Sequence, residues 1–294
     1  GCNQSCSFCA IPSFKGKLHS RTLESLVKEV TNLVKKGYKD FSFVSQDSSS
    51  YLRDLGHNDG LEQLIDAVEK IDGVKTARIL YLYPSTTTHN LIDKIADSKV
   101  FVNYFDMPLQ HISQNMLKIM KRGKGAEKLI ELMNYMRSKP NSFVRTTFIA
   151  GHPGESEEDF EELCSFVEEF GFDRGNVFSY SDEEGTSAET RDDKIEQELI
   201  DERAEILGDI ISQTTIKSLE NDIGKSFEVY IDGESEEHEY LLSARKTIWA
   251  PQIDGEIYIN DNEGNLPIVF GEIYEVEATQ LAGDKLLAKI IRKV

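Results

Sequence analysis

Two hydrophobic periods alternate along the first 180 or so residues. Short runs rich in β-branched and aromatic residues recur at 40–46, 77–83, 101–105, 143–149 and 176–180, a composition that predicts strands. Between them, apolar residues return every three or four positions. The clearest such stretch runs from Thr22 to Lys36, where Leu23, Leu26, Val27, Val30 and Val34 share a face and Gly37 supplies the stop. The same period runs through 61–71, 91–96, 116–120, 126–136 and 156–170. Strands alternating with helices predict βαβ units around a parallel sheet. The chemistry of such a sheet belongs at the C-terminal ends of its strands. Those ends carry Ser45-Gln46-Asp47, Tyr83-Pro84-Ser85, Pro108-Leu109-Gln110-His111 and Gly151-His152-Pro153-Gly154-Glu155. With five strands visible, a sixth is expected just before Gly1, feeding the segment that opens the chain.

The pattern then changes. Residues 181–199 are acidic and polar and lead into a long helical stretch over 195–219. From about Asp222, five short runs at 227–231, 239–243, 256–259, 273–278 and 286–290 are separated by Gly, Asp and Asn. They predict a small all-β barrel. The expected division is an α/β domain over 1–221 and an all-β domain over 222–294.

Length and composition narrow the function classes. A chain of 294 residues suits one large domain or a middle-sized one plus a small one. It contains no run of 18 apolar residues, so no transmembrane helix is expected, and no signal peptide is visible. A cytoplasmic protein is expected. The chain starts at Gly1-Cys2 without a Met and reads as a piece of something longer. Four cysteines are too few for a disulfide scaffold. Lys and Arg number 33 against 52 Asp and Glu, a net charge of −19. Such a surface repels phosphate backbones and favours a basic partner, or is a solvated acidic face.

Three of the cysteines fall within nine residues. Cys2-Asn3-Gln4-Ser5-Cys6-Ser7-Phe8-Cys9 is a C-x3-C-x2-C spacing. Three thiolates on one tight loop suit three corners of a cubic iron–sulfur cluster, leaving the fourth iron open. Two other readings remain at this point. One is zinc with His19 as fourth ligand, which the spacing fits poorly; the other is three unrelated cysteines.

With Phe8 in the aromatic slot before Cys9, the motif resembles that of the radical S-adenosylmethionine (SAM) enzymes. The resemblance implies a partial (β/α)6 TIM-like barrel and a 4Fe-4S cluster held by Cys2, Cys6 and Cys9, whose open iron SAM chelates. It further implies reductive cleavage of SAM to a deoxyadenosyl radical. It would place Phe8 beside the adenine. Ser45, Gln46 and Asp47 would stand at the strand-two motif that meets the methionine amino group. Arg145 would face the SAM carboxylate, although a surface or strand-pairing arginine is the alternative.

The resemblance covers essentially the whole chain and extends to the methylthiotransferases. It is carried by Gly1-Cys2-Asn3, Cys6-Ser7-Phe8-Cys9-Ala10-Ile11-Pro12, Val44-Ser45-Gln46-Asp47, Pro108-Leu109-Gln110-His111 and Thr147-Phe148-Ile149-Ala150-Gly151-His152-Pro153-Gly154-Glu155. The family usually reads Gly-Phe-Pro-Gly-Glu in the last motif; His152 departs from it, which leaves the packing there open. The C-terminal barrel resembles the OB-like TRAM domain of these enzymes.

Two branches compete. One methylthiolates an adenosine in tRNA. The other methylthiolates the β-carbon of an aspartate in small ribosomal subunit protein S-twelve. Pro108-Leu109-Gln110-His111-Ile112-Ser113, Met120-Lys121-Arg122-Gly123, Phe14-Lys15-Gly16-Lys17 and the barrel segments Ser243-Ala244-Arg245 and Ala250-Pro251-Gln252-Ile253-Asp254-Gly255 resemble the ribosomal-protein branch. Charge is an independent test. Residues 220–294 hold 16 acidic and 7 basic side chains, a net of −9. A domain that grips tRNA should be basic, whereas an acidic one suits a basic ribosomal protein. The S-twelve enzyme is therefore expected. The alternatives are a tRNA adenosine methylthiotransferase and a non-enzymatic metal-stabilised binding module.

In the family a second 4Fe-4S cluster, in an N-terminal domain with three further cysteines, supplies the sulfur. Here only Cys164 remains outside the loop, and a packing role is expected for it. The chain is thus expected to bind the radical cluster and SAM without completing methylthiolation. An electron donor such as flavodoxin or ferredoxin is implied. Gln110 and His111 could face the cavity or be satisfied polar groups. Asp47 could meet SAM or cap the next segment. Lys15, Lys17 and Arg21 form a basic patch beside the cysteines. Glu234, Glu236, Glu237 and Glu239 form an acidic run, the first place to expect a basic partner.

Overall fold

A computed structural model describes residues 1–294 other than Lys124, Glu263 and Asn265. The chain forms two compact units, Gly1–Ile211 and Ser212–Val294. The first opens with the cysteine loop and a five-residue helix, Ile11–Lys15 (α1). There follow Leu23–Lys35 (α2), Asp40–Phe43 (β1), Gly60–Val68 (α3), Thr76–Ile79 (β2), His89–Ala96 (α4), Phe101–Asp106 (β3), Gln114–Ile119 (α5), Ala126–Arg137 (α6), Phe143–Ala150 (β4), Glu157–Phe170 (α7) and Arg174–Ser179 (β5). A long helix, Gln197–Glu220 (α8), crosses the division between the units. Its last turns belong with the second unit, ahead of the 221/222 border expected from the sequence.

β1 to β5 pair in sequence order, all parallel. Helix-facing positions of the sheet, among them Ala77, Ile79, Phe105, Val144 and Phe148, are buried against Leu61, Ile65, Ile92, Leu129, Met133, Leu163 and Val167. Each helix stripe of the sequence supplies one side of this layer. The opposite face carries charge. Arg78 on β2 is fully buried and holds the Asp40 carboxylate of β1 at 2.6 and 3.1 Å and the Ser42 hydroxyl at 3.0 Å. Asp106 and Arg145 stand opposite each other on β3 and β4 at 3.1 Å. A buried ion pair of this kind persists only where both partners are present.

Two strands stop earlier than their apolar runs suggest. β1 ends at Phe43, whose carbonyl takes the last ladder bond from Leu80 N–H. The chain then turns at Asp47, whose carboxylate caps the short turn Ser48–Ser50. β2 ends at Ile79 because Tyr81 adopts φ +60°, which a ladder does not accommodate. β1 and β5 lie at the edges of the sheet.

The second unit is a closed barrel of Ser226–Glu234 (β6), Leu242–Lys246 (β7), Ile257–Asn262 (β8), Ile273–Ala282 (β9) and Lys285–Lys293 (β10). The order is β10-β8-β7-β6-β9, closed by β9 on β10, the small all-β barrel that the strand pattern predicts. Alternation fills it: Tyr274, Val276 and Ala278 on β9 and Leu286, Ala288 and Ile290 on β10 are all fully buried. β7 begins at Leu242 rather than Glu239. The acidic run instead forms an exposed connection in which Leu241 N–H bonds to the His238 carbonyl.

α7 shows how a local motif is tied into the tertiary structure. Ser156 and Asp159 form a capping box. The Asp159 carboxylate also accepts from the Ser113 hydroxyl and from Asn115 at 2.8 Å, joining the start of α5 to the start of α7. Burial raises the acid's pKa, but these donors outweigh it and hold the group below the usual carboxylate range. Its stabilisation is therefore present above the ordinary aspartate range and is lost as pH falls through the depressed value. Asp159→Asn should cost about 1–3 kcal/mol at neutral pH, with the difference from the parent shrinking at the acid end. Urea denaturation at both pH values checks this; a pH-independent loss would contradict it.

Candidate functional site

The C-terminal ends of the strands surround a cavity of about 320 Å3. Cys2, Cys6 and Cys9 line it from the opening loop, and Phe8 with them. Its wall is built from Gln46 after β1, Tyr81 and Tyr83 after β2, Gln110 after β3, Arg145 and Thr147 of β4, and Asn176 and Phe178 of β5. Of the residues singled out in the sequence, the cysteines, Phe8, Gln46, Gln110 and Arg145 are thus brought together.

The loop lacks regular structure of its own up to Cys9, and the surrounding elements hold it. Cys2 N–H bonds to Gly16 O at 3.1 Å, Ser7 N–H to Met120 O at 3.0 Å, and Ala188 N–H to Ser7 O at 2.9 Å. The Ser7 hydroxyl meets His152 Nε2 at 3.0 Å, and the His152 ring stands edge-on to Phe8 and Tyr180. The departure from the family motif is therefore a partner for the cysteine loop. Burial pushes the His152 pKa down, which keeps the ring neutral for that bond.

The thiols sit among polar groups. Gln4 N–H reaches Cys2 Sγ at 3.4 Å, and the nearby Ile11 backbone N–H works against the burial that raises the Cys9 thiol. The Tyr83 hydroxyl lies 3.7 Å from Cys6 Sγ and Arg122 Nη1 lies 3.5 Å from it. Burial raises the Cys2 and Cys9 thiols, so a metal centre there must displace their protons. His19 is exposed and lines a second cavity with Ser45 and Asp47, away from the thiols. Among the described residues, no three His, Cys, Asp or Glu side chains stand at the spacing of a single-ion site. Three soft thiolates at separate points around a cavity fit the corners of a cubic cluster.

Ser45 and Asp47 do not line the cysteine cavity. Asp47 is buried, and its carboxylate accepts from Gln4 Nε2 at 2.8 Å, Ser50 Oγ at 2.6 Å, Ser49 Oγ at 3.0 Å and Ser50 N–H at 3.1 Å. It caps the next segment and tethers the cysteine loop through Gln4. Arg145 borders the cavity with its charge matched by Asp106. His111 points away from the cavity. Its Nδ1 accepts from the backbone N–H groups of Ile112 and Ser113, both at 3.0 Å, so the proton sits on Nε2, 3.4 Å from Glu155. Glu155 also binds Arg203 at 2.8 Å and Gly151 N–H at 3.1 Å. Gly151 has φ +79°, and a Cβ there would fall 2.5 Å from Ile200, so only glycine fits. The two sequence motifs at the ends of β3 and β4 are thereby locked to α8. Lys15, Lys17 and Arg21 are exposed, and Arg21 pairs with Glu29. Cys164 packs beside the core in α7, with burial pushing its thiol up to about 11.

The sequence reading gave no role to Gln4, Tyr83 or Arg122. Their signal was present in the quoted motifs, but only the fold brings α5's end and β2's end to Cys6.

Comparison with known proteins agrees with this geometry. Residues 1–167 match the radical SAM superfamily model and residues 223–291 the TRAM domain model. The chain is 79% identical over 294 residues to "Ribosomal protein uS12 methylthiotransferase RimO" of Aliarcobacter butzleri, covering 99% of this chain and 66% of that one. It is 62% identical to the protein of the same name from Sulfurovum and 56% identical to that from Campylobacter jejuni, again with 66% of each relative covered. The chain thus spans 66% of the length of these curated relatives. Among solved structures, coproporphyrinogen III oxidase (HemN) of Escherichia coli shares the fold with TM-score 0.57 and 16% identity, over 72% of this chain and 50% of that one. The radical S-adenosylmethionine methyltransferase TsrM of Kitasatospora setae does so with TM-score 0.51 and 17% identity, over 64% of this chain and 37% of that one.

Removing Arg203 leaves Glu155 buried without its cation. Arg203→Leu should therefore lose about 3–5 kcal/mol, measured by urea denaturation. A loss below about 1 kcal/mol, the range of a surface pair, would show that the clamp does not hold the strand ends.

Proposed function

We propose, for a chain that belongs to the radical SAM superfamily, that it is the catalytic core and C-terminal barrel of a methylthiotransferase acting on the β-carbon of an aspartate in small ribosomal subunit protein S-twelve. The observation that carries the proposal is the convergence of Cys2, Cys6 and Cys9 on a cavity walled by the C-terminal ends of parallel strands. The family implies a 4Fe-4S cluster and SAM. In this reading the three cysteines hold the cluster, Phe8 packs beside the adenine, the Ser45-Gln46-Asp47 segment offers backbone to the methionine end, and Arg145 borders the SAM carboxylate. When bound and reduced, the cluster supplies the electron that cleaves SAM to a radical able to take hydrogen from an unactivated C–H bond. The chain's own residues orient and enclose. Tyr83, Phe178, Gln110 and Thr147 wall the space.

A second cluster would supply the sulfur, and its ligands would come from an N-terminal domain of the whole protein. With Cys164 as the remaining cysteine, these 294 residues are expected to cleave SAM but not to methylthiolate. A flavodoxin or ferredoxin would deliver the electron in the cytoplasm. Among the described residues, no helix is long and apolar enough to cross a membrane.

The partner is argued from charge. Glu234 at the end of β6 and Glu236, Glu237 and Glu239 in the β6–β7 connection are all exposed, with Glu237 3.7 Å from Lys285. A barrel of net −9 over 220–294 complements a basic protein and repels RNA. The chain should bind S-twelve with an affinity that falls as salt rises, and should leave tRNA unbound in a filter assay. Tight, salt-sensitive tRNA binding with no hold on S-twelve would contradict this and favour the tRNA adenosine methylthiotransferases.

A further inference from the structure

Arg122 lies between α5 and α6 and is 8% exposed. Its guanidinium is fixed on three sides. Nη1 lies 3.5 Å from Cys6 Sγ, Nη2 donates to the Pro108 carbonyl oxygen, and the group stacks 4.5 Å from the centre of the Tyr83 ring. Tyr83 in turn places its hydroxyl 3.7 Å from the same sulfur. The three thiols are therefore not equivalent. Cys2 is met by the Gln4 backbone N–H and Cys9 feels the Arg122 charge at longer range, whereas Cys6 is in direct contact with the guanidinium and a hydroxyl.

We infer that Arg122 is a positioning residue that fixes Cys6 and sets the charge around the cluster held by the three cysteines; the inference rests on the reading of the site proposed above. Reduction adds one electron from an external donor, so it adds one negative charge while no bond in the protein forms or breaks. A nearby cation and an N–H···S contact favour the more negative state and raise the reduction potential. The guanidinium fork suits this task because one group reaches Pro108 O and Cys6 Sγ together. It is held there before the electron arrives, so little reorganisation is needed. A lysine would keep the charge and lose the fork.

The test compares the parent chain with Arg122→Gln, Arg122→Lys and Tyr83→Phe, each reconstituted anaerobically with iron and sulfide. Iron content is measured, and the cluster is titrated potentiometrically with electron paramagnetic resonance as readout. At a fixed solution potential, the ratio of reduced to oxidised cluster should fall about tenfold in Arg122→Gln, equal to about 59 mV for a one-electron couple. Arg122→Lys should stay nearer the parent, and Tyr83→Phe should change the ratio less than Arg122→Gln does. Equal potentials in the parent and Arg122→Gln would overturn the inference while leaving the cluster reading intact. Should Arg122→Gln take up no iron, uptake by Arg122→Lys supports the role of charge. Failure of both arginine variants, with Tyr83→Phe loading normally, assigns Arg122 to folding and overturns the inference. A parent that takes up no iron overturns the reading of the site itself.

Discussion

Three thiols must be held at fixed points by a loop with no secondary structure of its own, and the first unit is organised around that constraint. A free loop of this length samples many conformations, and fixing each residue costs about 1–2 kcal/mol. The fold offsets this by tying the loop to rigid neighbours. Met120 at the end of α5 takes Ser7 N–H, and Ala188 from the acidic connection gives its N–H to Ser7 O. Asp47 holds Gln4, and His152 holds the Ser7 hydroxyl. The anchors come from the ends of separate βα units. The site therefore exists only when the sheet is assembled.

Behind the cavity wall a second set of polar groups fixes the strand ends. Glu155, His111 and Arg203 form a buried cluster that joins the segments after β3 and β4 to α8. Asp106 pairs with Arg145 and also accepts from Tyr81 N–H at 3.1 Å. This second bond supports the positive φ that turns Tyr81 toward the cavity. Gln110 too adopts a positive φ, with its backbone bonded on both sides to β4. Left-handed backbone at bulky residues costs about 1–3 kcal/mol and persists where its surroundings enforce it. Here it occurs twice on one cavity wall, at Tyr81 and Gln110.

Much of this was legible beforehand. The alternation of periods located all five parallel strands and the helices between them, because those segments are amphipathic enough for local pattern to agree with tertiary burial. The C-x3-C-x2-C spacing located the three thiols that line the cavity. Strand ends were misjudged where a polar cap or a positive φ interrupts an apolar run, as at Asp47 and Tyr81. β7 was misplaced because the acidic stretch before it contains Tyr240 and Leu241, which mimic a strand start although Tyr240 is 78% exposed. Asp47 was legible as functional or capping but not as a tether, and His111 could not be turned away from the cavity by sequence alone. Arg122 sits in the quoted segment Met120-Lys121-Arg122-Gly123, but nothing local ties it to Cys6. Its importance comes from a separation of 116 positions between it and Cys6, which only the fold closes.

The central claim is that Cys2, Cys6 and Cys9 together hold a cluster with an open iron facing the strand ends. The most direct measurement is the absorption spectrum and iron content of the anaerobically reconstituted chain, before and after adding SAM. A broad band near ~400 nm with about four irons, shifted by SAM, is the predicted result. A colourless protein that keeps a single zinc and ignores SAM would contradict the claim.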